Sequence, residues 1–514
     1  MILALGLYIA AVVVLYKYRT HHLYSTFFKA LKQHSWLAGG LSIFMIQLSV
    51  DQGQLLTGVI GKHGFGGMWV FWAGMICTFV IPYVFAPYWK KLDFITDNQF
   101  LLFRFPGKGG KILYVFRAVY VGLIVVSILL SFHFLAMARV WEAFFHMEKE
   151  TALLCSSLIL ALYVLVNRMD FKIQLDTLHA FIYLGVFALI FYYVYQYAGG
   201  FAPIENYFSQ HPSKKELFPS AGDSYTVFAF ITYIGIQWWS VNMFDGGGPQ
   251  MARYTAVASK RDAIKAGLLP VLVSKITTTA MLFLVLMVLA HSNSQKEVGF
   301  LEETLHAVPS VLHGVLFVGF LVVFISSTES LINWGGGFLT VDFYKKSILK
   351  QEEEMQTRDW SSVFFMLLIL TCASIFAFYS DNLEQIFKVI LSISAGVAPV
   401  YILRWFWYRV NAWAQLTAMF SSLVFTSTYT FWYEWLDLTR LPYEESRIVF
   451  VTLVTTALWL SVLLFTKQET NVVHERMQGL IGSKKRFLKR LATALLFGFL
   501  LLCLVVGFWL WMLG

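Results

Sequence analysis

The stretch LLPVLVSKITTTAMLFLVLMVLA, residues 268–290, is 23 residues long and carries one charge, Lys275. A second stretch, LATALLFGFLLLCLVVGFWLWML, residues 491–513, has the same length and no charge. As a helix, each rises about 34 Å, enough to cross a hydrocarbon layer of roughly 30 Å. In hydrocarbon the backbone must satisfy its own hydrogen bonds, so a bundle of helices is expected. Runs this long, without alternation, exclude an outer-membrane barrel. Outward from these two stretches the pattern repeats, and the 514 residues are 58% hydrophobic but only 13% charged. A soluble exterior would need more charge than that. The chain is an all-α membrane protein.

Apolar run length and polar punctuation predict about fourteen transmembrane helices. They lie near residues 2–17, 37–60, 67–89, 112–140, 150–166, 173–196, 224–244, 266–290, 309–341, 360–380, 385–408, 412–434, 446–466 and 490–513. Residues 2–17 read as a first span rather than a cleaved signal peptide, because their positive charges follow the apolar run and no small-residue cleavage pattern is present. The net charge of +9 fits cytoplasmic loops better than nucleic acid. Clusters such as Lys90/Lys91/Arg104/Lys108/Lys111, Arg253/Lys260/Arg261/Lys265 and Lys484/Lys485/Arg486/Lys489/Arg490 alternate with weakly basic loops. That alternation puts both termini outside a cell membrane. Cys77, Cys155, Cys372 and Cys503 all lie in apolar runs and read as buried thiols, not as a disulfide framework or metal cluster.

The polar loop Tyr197–Asp223 separates two groups of five spans, residues 36–196 and 224–409. Five is odd, so the groups have opposite topology, the layout of an inverted repeat. Residues 1–35 and 410–514 then supply extra helices around a transport core.

Four segments depart from lipid-facing composition. In Gln47-Leu48-Ser49-Val50-Asp51-Gln52-Gly53 an acid sits mid-helix, where it costs about 2.5–3.5 kcal/mol unless it faces a cavity or partner. Gly53, Thr57 and Gly58 are expected to weaken that helix and free carbonyl oxygens for a cation. The alternative is an interhelical hydrogen-bond cluster beside a close-packed glycine face. Ser326-Ser327-Thr328-Glu329-Ser330 places five polar residues inside an apolar helix, with Asn333, three glycines and Asp342 beyond. Hydroxyls are hard ligands suited to Na⁺, though they also bond to their own helix backbone. Asp176 either serves an ion or pairs with Arg168 or Lys172, and His179 reads as a packing histidine. Trp238-Trp239-Ser240-Val241-Asn242 could line a solute pocket or anchor the membrane interface. The glycine run after Asp245 has no Gly-Lys-Ser/Thr and should end a helix and turn the chain.

In this order the segments resemble the sodium:solute symporter family, which contains the sodium/proline, sodium/sialic acid and sodium/glucose cotransporters. The resemblance runs from Trp36 to Ser422. It is carried by Val323-Phe324-Ile325-Ser326-Ser327-Thr328-Glu329-Ser330-Leu331-Ile332-Asn333 with Asp342 and Tyr344, and by Trp238-Trp239…Asn242…Arg253…Lys260. Ala252 departs from the glutamine that usually precedes that arginine. Tyr88-Trp89-Lys90-Lys91…Phe100…Arg104-Phe105 and Gly396-Val397-Ala398-Pro399…Trp407…Arg409-Val410-Asn411-Ala412 supply two further matches.

The resemblance implies a leucine-transporter-type fold with a 5+5 inverted-repeat core. It implies a sodium site made by the carbonyls of Met45, Leu48 and Val323 and the hydroxyls of Ser326 and Ser327. A second sodium would use Asp176 and Ser330, although Glu329 stands where two-sodium members carry a hydroxyl. The solute would lie beside Gln47, Asp51 and Gln52, with Trp238, Trp239, Asn242 and Lys275. Ser49-Val50-Asp51-Gln52 is similar to the Ser-Ala-Glu-Gln of sugar-transporting relatives, whereas Phe71 replaces an acid of the galactose carrier. The function implied is sodium-coupled import of a small polar solute, a sugar or sugar derivative ahead of an amino acid or organic acid. Proton coupling through Asp176, Glu329 or Asp51, and a transporter-like membrane sensor, are the competing readings. No nucleophile–base pair or metal-ligand spacing suggests an enzyme, and no obligate protein partner is implied.

Overall fold

A computed structural model of the chain describes residues 1–20, 28–30, 33–166, 168–220, 223–240, 244–292, 299–351 and 360–513. Its principal helices, in chain order, are α1 (Ile2–Thr20), α2 (Trp36–Gln47), α3 (Gln52–His63), α4 (Phe65–Leu92), α5 (Lys108–Phe145) and α6 (Lys149–Val166). They continue with α7 (Met169–Ala198), α8 (Ser224–Gly235), α9 (Lys260–Ser292), α10 (Ser310–Ile348) and α11 (Trp360–Phe378). The last four are α12 (Leu383–Leu403), α13 (Ala412–Ser427), α14 (Tyr443–Phe465) and α15 (Lys484–Leu513). Among the described residues, nine helices are long and apolar enough to cross a membrane, and α2 with α3 forms a tenth, bent span. The four remaining predicted spans fall on the shorter or less apolar α1, α6, α8 and α13.

Two departures from the expected helices have local causes. The first is in the bent pair: α2 and α3 meet at 47°, and the break lies at residues 48–51, ahead of Gly53. Leu48 is extended, with φ −76° and ψ 153°. The Ser49 hydroxyl donates to the Asp51 carboxylate across the break, a short polar link that competes with helical bonding. Gly53, Thr57 and Gly58 do not open the helix as expected. The Thr57 hydroxyl caps the Gly53 carbonyl at 2.8 Å within intact α3. Gly53 is instead a packing residue, because a Cβ there would collide with the ring of Phe300. The second departure is α8, which ends at Gly235 rather than near residue 244. Its continuation is a single 3₁₀ turn, Gln237–Trp239. Ser240 donates to the carbonyl and the side-chain oxygen of Gln237 at 3.0 and 2.9 Å, drawing the chain out of the helix.

Close approach organises the core. α2 packs against α7 and α9, and α10 packs against α2, α5 and α7. Where α5 meets α10, a Cβ on Gly335 would lie 2.6 Å from the carbonyl oxygen of Gly122. Small residues at such crossings are how helices associate where lipid removes the hydrophobic drive.

The end of the bundle that bears the basic loops is tied by buried charges. Arg404 and Trp405 both donate to Asp245 Oδ2, at 2.6 and 2.8 Å, and Trp89 donates to the Asp245 carbonyl at 2.5 Å. Arg117 pairs with Asp97 at 2.5 Å, and Trp334 donates to the same carboxylate at 2.8 Å. Asp342 accepts from Thr96 and from Tyr114, the latter at 2.6 Å. Gly246 and Gly248, at φ +72° and +78°, supply the turn after Asp245 that the glycine run predicted. Removing one partner of a fully buried pair strands the other charge, at a cost of about 3–5 kcal/mol. Arg404→Ala should therefore lower the unfolding temperature in detergent far more than Lys149→Ala, which loses a pair with exposed Asp381. Equal losses in the two variants would contradict the ranking.

Candidate functional site

The serine run of α10 is buried throughout: Ser326, Ser327, Thr328, Glu329 and Ser330 are each at most 4% exposed. It therefore faces neighbouring helices and not lipid. Three of its hydroxyls turn back on their own helix. Ser327 donates to the Val323 carbonyl at 2.8 Å, Thr328 to Phe324 at 2.5 Å and Ser330 to Ser326 at 2.7 Å. Ser326 reaches across to α7, where its oxygen lies 2.7 Å from His179 Nδ1. His179 Nε2 in turn lies 3.0 Å from the hydroxyl of Tyr8 on α1. The expected packing histidine is a bridge between α1 and α10.

The break in the first core helix shares a narrow cavity with the part of α10 just before this run, at Gly319, Phe320 and Val323. Ser49, Val50, Gln52, Gly53, Tyr183 and Val323 are among the residues that line it. Leu48 is buried, and its N–H donates to the Met45 carbonyl at 3.3 Å. Asp51 is 3% exposed and bonded to Ser49, whose oxygen also lies 3.0 Å from His133 Nδ1. Gln52 donates to Thr278 on α9 at 3.2 Å, one turn beyond half-buried Lys275. Gln47 is exposed. Trp238 and Trp239 are half-buried and edge-to-face at 5.3 Å, on a turn that packs against α4 and α12. Asn242 lies outside the described residues.

Asp176 does not pair with Arg168 or Lys172 in the way its helix neighbours suggest. It accepts from Ser42 at 2.5 Å, and Arg253 lies 3.4 Å from the same oxygen. Arg253 also donates to Ser42 and to Ser330, both at 3.0 Å. The Arg253 guanidinium thus lies across both residues expected to ligate a second sodium. Lys172, one turn before Asp176, forms a buried ion pair with Glu329. Ser42 and Tyr8 were not singled out from sequence, whereas Lys172 was, as a pair for Asp176 and not for Glu329. Lys172 alone carried a signal, its four-residue spacing from Asp176.

At the opposite end a cavity of about 850 Å³ opens among the ends of α3, α4, α12 and α14. Its lining includes Lys62, Phe71, Glu384, Phe387, Lys388 and Glu445. Phe71 stacks on Phe387 at 5.5 Å, and Lys388 bridges Glu384 and Glu445 at 2.9 Å each.

Residues 27–422 match the model of the sodium:solute symporter family. The chain belongs to that family. Among curated relatives, sodium/glucose cotransporter 1 of Ovis aries is 22% identical over 434 residues, 75% of this chain and 64% of that protein. Solute carrier family 5 member 4B of Mus musculus is 22% identical over 445 residues, 77% of this chain and 66% of that one. The chain thus spans just under two thirds of the sheep relative's length. Its architecture matches a substrate-bound, outward-open Na⁺-coupled sialic acid symporter with a TM-score of 0.68 at 15% identity, over 91% of this chain and 98% of the other. The symporter fold, leucine-transporter-type, and a multi-pass membrane location follow for this family member.

The Tyr8–His179–Ser326 chain yields a stability prediction. Tyr8→Phe removes one end of it and should cost about 1 kcal/mol. His179→Leu strands two buried hydroxyls and should cost about 1–3 kcal/mol. Thermal unfolding of the two variants tests this order, and a larger loss for Tyr8→Phe would reverse the assignment.

Proposed function

We propose that this family member is a sodium-coupled symporter that imports a small polar organic solute by alternating access. The observation that carries the reading is that α10, with its wholly buried serine run, packs against α2, the first half of the helix broken at residues 48–51. The proposed sodium ligands are the carbonyls of Met45, Leu48 and Val323 and the hydroxyls of Ser326 and Ser327. All are hard oxygens, the donor type an alkali cation takes. The back-bond from Ser327 to Val323 uses only the hydroxyl proton, leaving the oxygen lone pairs for the ion. The same holds at Ser326 if the His179 proton sits on Nε2, where it would be donated to Tyr8.

Sodium bound there would tie α10 to the broken helix and stabilise the arrangement that receives solute. Coupling of this kind is typically about 1–3 kcal/mol, and a membrane potential adds roughly 2.3 kcal/mol per charge for each 100 mV. The proposed solute contacts are Gln47, Asp51, Gln52, Trp238, Trp239, Asn242 and Lys275. Two named relatives handle sugars or a sugar acid by their descriptions, which supports a sugar or sugar derivative over an amino acid. The cavity ending at Phe71 and Phe387 is the proposed approach from outside. Proton coupling through Asp176 or Glu329 is the weaker reading, since each of those carboxylates already faces a basic side chain.

Ser326→Ala and Ser327→Ala should each raise the half-saturating sodium concentration about five- to tenfold, the effect of losing roughly 1–1.5 kcal/mol. Solute affinity at saturating sodium should change much less. Screening solutes by thermal shift, in sodium and in choline, identifies the solute and then tests the variants. An unchanged sodium dependence in both would remove the assignment.

A further inference from the structure

Four charged side chains meet where α2, α7, α10 and the short helix Pro249–Ala256 converge. Lys172 and Asp176 lie one turn apart on α7, Glu329 stands beside Ser330 on α10, and Arg253 comes from the short helix. All four are at most 4% exposed. Lys172 pairs with Glu329, and Arg253 bonds to Ser42, to Ser330 and to the Asp176 carboxylate. Among the described residues of this cluster, two acids face two bases. Without its bases the same cluster would offer two carboxylates and two hydroxyls, a donor set suited to an alkali cation.

We infer that Lys172, paired with Glu329 beside the Asp176 and Ser330 that Arg253 spans, acts as a tethered cation in place of a second ion, so that this protein binds one sodium where an open cluster would bind two. The inference rests on the proposed reading that Ser326 and Ser327 hold the first ion. A free sodium could enter the cluster only by displacing an ammonium already attached to the chain. That ammonium loses no translational freedom on binding, and its departure would leave it buried without an acid. Arg253 alone balances only one of the two carboxylates. The charge of Lys172 therefore decides whether the cluster is neutral or carries an excess negative charge that attracts a cation. Because the lysine never leaves, it would link α7 to α10 in every state of the cycle. The second position would then contribute no sodium dependence to transport.

The test counts ions on the purified full-length protein without any solute. ²²Na⁺ binding at saturation gives the number of ions per chain, and unfolding in sodium chloride against choline chloride reports whether each variant is folded. The wild type should bind one ion and Lys172→Met two, with a larger sodium-dependent rise in unfolding temperature. Lys172→Met/Glu329→Gln removes one charge of each sign and should return to one. Two ions in the wild type would overturn the inference, as would one ion in a folded Lys172→Met variant. If Lys172→Met does not fold, the wild-type count and the double variant decide alone: one ion in each supports the inference and two in either overturns it. No ion in the wild type but one in Lys172→Met would overturn the Ser326/Ser327 site and leave the role of Lys172 standing. No ion in either would overturn both.

Discussion

A helix interrupted inside a hydrocarbon layer exposes backbone groups that lipid cannot satisfy, at a cost of several kcal/mol for each. The interruption between α2 and α3 is the feature around which the rest of the molecule is arranged. The chain meets part of the cost locally, through Leu48 N–H to Met45, Gln52 N–H to Ser49 and Leu55 N–H to Asp51. Neighbours supply more: the Gln54 amide lies within 3.5 Å of both the Val50 and Ala136 carbonyls, linking the break to α5. Carbonyls kept out of a regular helix are also the ones a bare cation can use. The same local geometry that threatens stability is therefore what the proposed sodium site would draw on, provided that the surroundings stay polar and protected from lipid.

That protection comes from two sets of contacts of different character. At the basic end, Arg404–Asp245 and Arg117–Asp97 are braced by indole donors and are almost inaccessible to water. They tie the end of α12 to the turn after α8 and α5 to the segment after α4, and the bond from Arg117 to Tyr401 joins the two into a frame. In the interior, single hydrogen bonds such as Ser49 to His133 and His179 to Ser326 lie beside the buried pairs of Asp176 with Arg253 and Lys172 with Glu329. Under the proposed alternating access the single bonds are the contacts free to exchange, while the buried pairs of the frame and of the α7–α10 contact hold.

Much of this was legible in the sequence, and the reasons are physical. Span positions follow from run length because lipid punishes polar interruptions. The serine run announced itself because five polar residues together cannot be packed against acyl chains, and its burial bears that out. The turn at Gly246 and Gly248 was legible because positive φ favours glycine. The exact break was not. Low helix propensity at Gly53 and Gly58 pointed a few residues too far along, since the glycine was selected for contact with Phe300. Pairings across helices were illegible for another reason. Asp176 and Arg253 are 77 residues apart, Lys172 and Glu329 157, and Tyr8 and His179 171. Spacing along one helix predicts a shared face but says nothing about which helix covers it.

The pairings between α7 and α10 nevertheless bear on a conclusion first reached by counting. Along α7 the side chains bonded to α10 are Lys172 and His179, seven residues apart and so on one face of the helix. Their counterparts run the other way. The earlier residue, Lys172, meets Glu329, and the later one, His179, meets Ser326. Two helices whose contacts descend on one as they ascend on the other are antiparallel. α7 and α10 occupy the sixth and ninth predicted spans, with two crossings between them, so alternating topology demands that orientation. Had a span been missed or invented between them, the same contacts would have had to run in parallel. The charged and hydroxyl side chains that suggest ion binding thus also register the two halves of the core against each other.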